Sequence, residues 1–211
     1  MVTIGFLHTA EAHIPAFREM LARADPAARD VHVVDAALLR EARDPGADLS
    51  GRIGHHLAGL ARAGADVIVC TCSTIGAGAE LLADRAGVPV LRADRPMAEA
   101  AVAAGRRIAV LYSVESTREP TLALLREAGP AADLRPVSCV DTWVLFERGD
   151  LEAYARAIAS RAREAAAECD VIVLAQAGMA PAARLLTGLP VPVLTSPRTA
   201  VERALRAPRR E

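Results

Sequence analysis

Two observations in the sequence predict an α/β fold of two pseudo-symmetric lobes. Short apolar, β-branched runs alternate with Ala/Leu/Arg-rich segments of helical period throughout the 211 residues. That alternation is the mark of parallel strands joined by right-handed helical crossovers. The chain also nearly repeats itself. A shift of 104 residues lays Ile4-Gly5-Phe6-Leu7-His8-Thr9 over Ile108-Ala109-Val110-Leu111-Tyr112-Ser113. The same shift lays ADVIVCTCSTIGAGAELLADRAGVPVL (65–91) over CDVIVLAQAGMAPAARLLTGLPVPVL (169–194). Each half is expected to form a flavodoxin-like or Rossmann-like parallel sheet, with residues 1–95 plus 196–211 in the first lobe and 96–195 in the second. The active site is expected in the cleft between the lobes.

The strand candidates are 3–8, 31–35, 66–71, 88–92, 107–112, 134–140, 170–175 and 190–194. Most are continuous apolar runs rather than alternating ones, as strands covered on both faces require. Helical periods run over 11–24, 49–64, 76–86, 95–104, 117–128, 150–167, 178–187 and 198–207, with Asp150 as an N-cap. A composition that is 52% apolar supports two cores in lobes of about 100 residues each.

Composition also excludes several kinds of function. With 25 basic and 26 acidic residues the chain has no charge excess to attract nucleic acid or an anionic membrane. Aromatics at 3% do not supply a base-stacking platform. No apolar run reaches the roughly 18 residues of a membrane span, and the first residues lack the pattern of a secretory signal, so a cytoplasmic protein is expected. Cys70, Cys72, Cys139 and Cys169 contain no C-x-x-C pair and suggest neither a zinc site nor a disulfide framework. Every Lys/Arg position is arginine, which rules out a lysine Schiff base and ordinary pyridoxal phosphate chemistry. No G-x-G-x-x-G follows the first strand, so a dinucleotide-binding protein is not indicated.

In parallel α/β sheets ligands sit beyond the carboxyl ends of the strands. That address holds His8-Thr9, Cys72-Ser73-Thr74, Tyr112-Ser113, Gln176-Ala177-Gly178 and Thr195-Ser196. Cys72 lies between a strand and a Gly-rich helix start, where backbone N–H groups and the helix dipole favour a thiolate or a bound carboxylate. Ser73 and Thr74 add hydroxyl donors. Alternatively Cys72 is a small buried residue, the reading given to Cys70, Cys139 and Cys169. Gln176, the sole glutamine of the chain, takes the place of a second thiol in the other half. It cannot remove a proton, but it can hydrogen-bond a carboxylate or carbonyl. His8 is either an acid, base or carboxylate donor, or a histidine held by backbone. Tyr112 and Ser113 are the counterparts of His8 and Thr9 and would position a second ligand group. Asp35 and Asp141 match through VVD and CVD, either lining the site or capping turns. His55 and His56 point to different faces of a helix and make a poor metal site; no metal is expected.

At these residues the sequence resembles the aspartate/glutamate/hydantoin racemase superfamily. The resemblance runs through IGFLHT, VVDAALL, VIVCTCSTIG, VPVLRADRPM, RIAVLYSVEST, VIVLAQAGMA and VPVLTSP. It implies a cofactor-independent enzyme that moves a proton at the carbon α to a carboxylate or carbonyl, a small carboxylate-bearing substrate, and a homodimer. Family members use one cysteine from each lobe, on opposite faces of the substrate. Cys72 matches the first. Where the family pattern resembles L-G-C-A-G-M, this chain reads Leu174-Ala175-Gln176-Ala177-Gly178-Met179.

The expected function is therefore proton transfer by Cys72. Ser73, Thr74, Ser113 and backbone N–H groups would hold the carboxylate and enolate, while Gln176 and His8 orient the remainder and Thr9, Tyr112, Ala177 and Gly178 line the substrate. One thiol allows racemisation with another base, decarboxylation or lyase chemistry of a malonate-like acid, or cis–trans isomerisation. The competing expectation is a non-catalytic binder of small acids.

Overall fold

The computed structural model describes residues 1–44 and 46–208. They form two compact units, one from the described residues of 1–93 and 197–208, the other Asp94–Ser196. The first contains β1 (Thr3–His8), a 3-10 turn at Glu11–His13, α1 (Ile14–Ala24), β2 (Arg29–Val34), α2 (Ala36–Glu41), α3 (Ser50–Arg62), β3 (Val67–Cys70), α4 (Ser73–Leu81), α5 (Ala83–Ala86) and β4 (Val90–Arg92). The second contains α6 (Arg95–Ala104), β5 (Arg107–Tyr112), α7 (Glu115–Ala128), β6 (Asp133–Ser138), a 3-10 turn at Val140–Thr142, α8 (Trp143–Glu147), α9 (Leu151–Ala165), β7 (Val171–Leu174), a 3-10 segment at Ala177–Leu186 and β8 (Val193–Thr195). α10 (Ser196–Leu205) returns almost wholly to the first unit. Among the described residues no helix is long and apolar enough to cross a membrane.

Both sheets are parallel, in the orders β2-β1-β3-β4 and β6-β5-β7-β8. Their registers repeat with the sequence: Ile4 pairs Val67 and Leu7 pairs Cys70 in one, Ile108 pairs Val171 and Leu111 pairs Leu174 in the other. The start of each central pair is tied by an aspartate. Asp66 accepts from the Thr3 N–H at 2.8 Å, and Asp170 accepts from the Arg107 N–H at 2.8 Å. Helices cover both faces, which is why the strands read as unbroken apolar runs. In the first unit Leu7, Ile68 and Cys70 pack with Leu57 and Leu60 of α3 and Ile75 of α4, while Phe6 meets Phe17 of α1. In the second, Leu111, Ile172 and Leu174 pack on Ile158 of α9, and Ile108, Val110 and Val173 pack on α6 and α7.

Three differences from the sequence reading bear on the site. α4 begins at Ser73, not at 76, so Cys72 itself is the N-cap residue and Ser73 and Thr74 open the helix. The segment expected as a helix over 178–187 is 3-10 instead; Pro181 lacks the N–H that would close an α-turn onto Ala177. Two short helices went unpredicted. Asp35 caps α2 through its carboxylate and the Ala37 N–H at 3.1 Å, and α8 follows the turn after β6. The backbone also corrects one match between the halves. The Asp35 N–H donates to His8 O and the Cys139 N–H to Tyr112 O, so Asp35 corresponds to Cys139 rather than to Asp141. Asp141 is exposed and pairs with Arg161.

Candidate active site

In the first unit, the tips of β1 and β3 lie side by side. The Thr71 N–H continues the ladder onto Leu7 O at 3.0 Å. The chain then turns at Cys72, in extended conformation (φ −105°, ψ 116°), directly into α4. No side-chain capping bond is made by Cys72, which is 8% exposed. Cys72 is thus the residue from which a nine-residue helix starts, and its side chain packs in the apolar cluster of the first unit. Cys70 donates to the Cys72 carbonyl at 3.7 Å and helps to fix the turn. Gly76, one turn on, lets α4 pack on Arg92, the buried last residue of β4. A Cβ at Gly76 would lie 3.1 Å from the Arg92 Cβ and 3.2 Å from its Nε.

His8 ends β1, as the sequence predicts, but its side chain is held inside the unit by other side chains. Its side chain is fully buried, with both ring nitrogens engaged: Nδ1 lies 2.9 Å from Thr71 Oγ1 and Nε2 lies 2.9 Å from His32 Nδ1. Burial, then the nearby His13 and His32, pull it down to about 3, so it is neutral at physiological pH. Burial pulls His13 down to about 4. His8 therefore acts on the strand tip through Thr71. Thr9 is buried beside it.

In the second unit the corresponding tip is built from amide and hydroxyls. Gln176 Oε1 accepts from the Ser113 N–H at 2.7 Å and from Ser113 Oγ at 3.2 Å. Ser113 Oγ, having donated there, accepts from Tyr154 Oη at 2.5 Å. Ser113 is fully buried, so it orients Gln176 rather than reaching outward. With its carbonyl saturated, Gln176 has only amide N–H donors to offer, and no partner for them is found among the described residues. Tyr112 is buried as well. Ala177 and Gly178 are half-buried at the start of the 3-10 segment. A Cβ on Gly178 would come within 2.7 Å of the Phe146 ring, which stacks on Trp143 with centroids 4.7 Å apart and meets Tyr154 edge-on.

The remaining thiols are core. Cys139 is fully buried and pushed up to about 11 by burial, and Cys169 is also pushed up, again chiefly by burial. Among the described residues no group of three or more His, Cys, Asp or Glu has the arrangement of a metal site, and the His8–His13–His32 cluster is no exception. Sequence reasoning missed Thr71, His32, Asp30 and Tyr154. The signal that would have found His32 is its register opposite Phe6, on the β1 face that also carries His8.

With this geometry in place, the comparisons with known proteins define the class. The chain belongs to the Asp/Glu/Hydantoin racemase family, whose model matches residues 3–204. Among solved structures it resembles the aspartate racemase of Picrophilus torridus, at 15% identity over 98% of this chain and 94% of that one, with a TM-score of 0.75. It resembles the glutamate racemase of Thermus thermophilus at 22% identity, covering 97% of this chain and 79% of that one, with a TM-score of 0.72. A glycine-to-cysteine variant of arylmalonate decarboxylase is similar at 22% identity, with 97% and 92% covered and a TM-score of 0.64. At these identities the likeness is one of fold. No curated protein sequence matches the chain.

Proposed function

We propose that this protein is a cofactor-independent enzyme that moves a proton at the carbon α to a carboxylate or carbonyl of a small acid, in the manner of a racemase or isomerase. Cys72 is the proton-transferring group. The observation that carries the reading is the thiol's position: in a chain of the racemase family, at the tip of β3 and at the N-cap of α4. The helix N–H groups, with Ser73 and Thr74, would stabilise the carboxylate and the negative charge that develops as the C–H bond breaks. Gln176, its carbonyl held by Ser113, would donate its amide N–H groups to a second acceptor of the substrate.

One observation favours a second reading. The place matching Cys72 in the second unit is held by an amide, which neither gives nor takes a proton at neutral pH. A lyase reaction needs a single proton donor: loss of CO2 from a malonate-like acid leaves an enediolate that the Cys72 thiol protonates once. The experiment that separates the readings is proton NMR in D2O of amino acids, hydantoins, substituted malonates and maleate with the purified protein and with Cys72→Ala. Deuterium appearing at the α-carbon of a substrate that is otherwise conserved identifies proton exchange. Deuterium in a product that has lost CO2 identifies the lyase. Loss of either signal in Cys72→Ala assigns it to the thiol, and an unchanged signal there removes Cys72 from the chemistry.

A further inference from the structure

The first unit contains a chain of hydrogen-bonded side chains that the reaction just proposed does not use. Thr71 Oγ1, His8 Nδ1 and Nε2, His32 Nδ1 and Nε2, and Asp30 Oδ2 follow one another at 2.9, 2.9 and 2.5 Å. Arg18 Nε holds the same Asp30 oxygen at 2.7 Å. His8 is fully buried and the His32 side chain only 6% exposed, while Asp30, at 23%, is the end that meets water. Thr71 Oγ1 has a second acceptor within reach, Leu7 O at 3.1 Å.

Counting hydrogens shows that these contacts cannot all be made while both rings are neutral and Asp30 is ionised. A threonine hydroxyl carries one hydrogen and a neutral imidazole carries one N–H. With both rings neutral the chain runs outward: Thr71 donates to His8 Nδ1, His8 Nε2–H to His32 Nδ1, and His32 Nε2–H to Asp30. Thr71 then has nothing left for Leu7 O. With one more proton the inner half reverses. His8 now carries its hydrogen on Nδ1 and donates to Thr71, His32 donates through both nitrogens, and Thr71 turns its hydrogen to Leu7 O. The two states differ by one proton taken from solvent: in the second the His8 Nε2 proton is on His32 Nδ1, the added proton is accounted for on His8 Nδ1, and the Thr71 hydroxyl is turned to Leu7 O. No bond between heavy atoms changes.

We propose that Asp30, His32, His8 and Thr71 form a proton-holding chain with two hydrogen-bond polarities, and that its state sets how firmly the β3 tip is tied to β1 immediately before Cys72. In the outward polarity Leu7 O holds Thr71 by its N–H alone; in the reversed polarity it holds both N–H and hydroxyl. The four residues are positioning residues, acting through the Thr71 turn. The charged and titratable groups that face the chain are His13 from the turn after β1, Arg18 from α1, and Asp30 with His32 from β2; β3 presents only the Thr71 hydroxyl. Burial acts to raise the Asp30 carboxyl, but the hydrogen bonds from Arg18 and His32 outweigh it and keep Asp30 below the usual carboxylate range. That leaves a carboxylate to receive the doubly protonated His32. His8, held far down by burial, stays neutral in both states and changes only its tautomer. The second unit has no such chain: in the repeated register Pro136 stands where His32 does, Ala175 where Thr71 does, and Tyr112 where His8 does.

The chain itself is tested on the intact wild-type protein by nitrogen NMR of labelled histidine, from about pH 5 to about pH 9. The expected result is that His8 switches from the Nε2–H to the Nδ1–H tautomer as pH falls, in step with His32 becoming protonated on both nitrogens. A His8 tautomer that stays fixed while the protein remains folded overturns the proposal. Its link to Cys72 rests on the reading of that thiol as the reacting group and is tested separately. Cys72 alkylation by iodoacetamide, located by mass spectrometry, should show a step at the pH of the tautomer switch, of about fivefold, the worth of one neutral hydrogen bond. Thr71→Ser should keep the step and Thr71→Val should lose it. A step that persists in Thr71→Val overturns the link. Failure of Cys72→Ala to change catalysis would leave the tautomer result untouched and would count against the functional reading alone.

Discussion

The two units use the same backbone to different ends. Leu7 O receives the Thr71 N–H and Leu111 O the Ala175 N–H, both at 3.0 Å, and Asp66 and Asp170 tie the same strand starts. The side chains at the tips share almost nothing. In the first unit a cysteine occupies the N-cap position of an α-helix beside a chain of two histidines and an aspartate. In the second an amide opens a 3-10 segment and is fixed by Ser113 and Tyr154, whose phenol burial pushes up well beyond the ordinary range. The first tip carries acid–base side chains; the second carries only an amide and hydroxyls joined by hydrogen bonds. Duplication preserved what the sheet needs, the apolar runs and the strand-start aspartates. It left the tips free to differ, and under the proposed function they divide proton handling from substrate binding.

The sharpest way to break this comparison is Cys72→Ala, which should lower α-proton exchange by about 10²- to 10⁴-fold, the range for a general acid–base group. Next is acid lability confined to one unit. His8 and His13 are lowered to about 3 and about 4 in the fold and return to the ordinary value of 6.5 when it unfolds. The unfolded chain thus binds more protons, and the stability these groups contribute is complete above about pH 6.5 and is lost as pH falls toward their folded values. A tenfold difference in proton affinity between the folded and unfolded chain corresponds to about 1.4 kcal/mol. Hydrogen exchange at decreasing pH should therefore open β1 and β2 before β5 and β7; simultaneous opening would contradict the difference.

Smaller effects belong to the second tip. Gly178→Ala pushes a methyl into the Phe146 ring, itself held between Trp143 and Tyr154, and should cost about 1–3 kcal/mol in thermal unfolding. Tyr154→Phe removes one hydrogen bond while Ser113 keeps Gln176, so a loss of about 1 kcal/mol is expected. Loosening of Gln176 should appear in KM more than in kcat.

The sheets, their parallel pairing and the place of Cys72 were legible because apolar runs and an internal repeat are local signals that the backbone obeys. The 3-10 segment was not, since its Ala/Leu content has helical period and only Pro181 argues otherwise. α2 and α8 are too short for periodicity to show. The role of His8 was illegible for another reason. Its partners lie 24 and 63 residues away, on β2 and just past β3, and only the register brings them to one face of the sheet. Tyr154 likewise reaches Ser113 from the first turn of α9, 41 residues along the chain. Residues at strand tips can be placed from sequence; which of them face inward and hold the others is decided by packing.

The division of labour between the tips is tested most directly by α-proton exchange kinetics of Cys72→Ala and Gln176→Ala on the first substrate found. Exchange abolished in Cys72→Ala, with Gln176→Ala showing a raised KM and a largely retained kcat, is the predicted result. Exchange that survives in Cys72→Ala, or a kcat that collapses equally in Gln176→Ala, would contradict it.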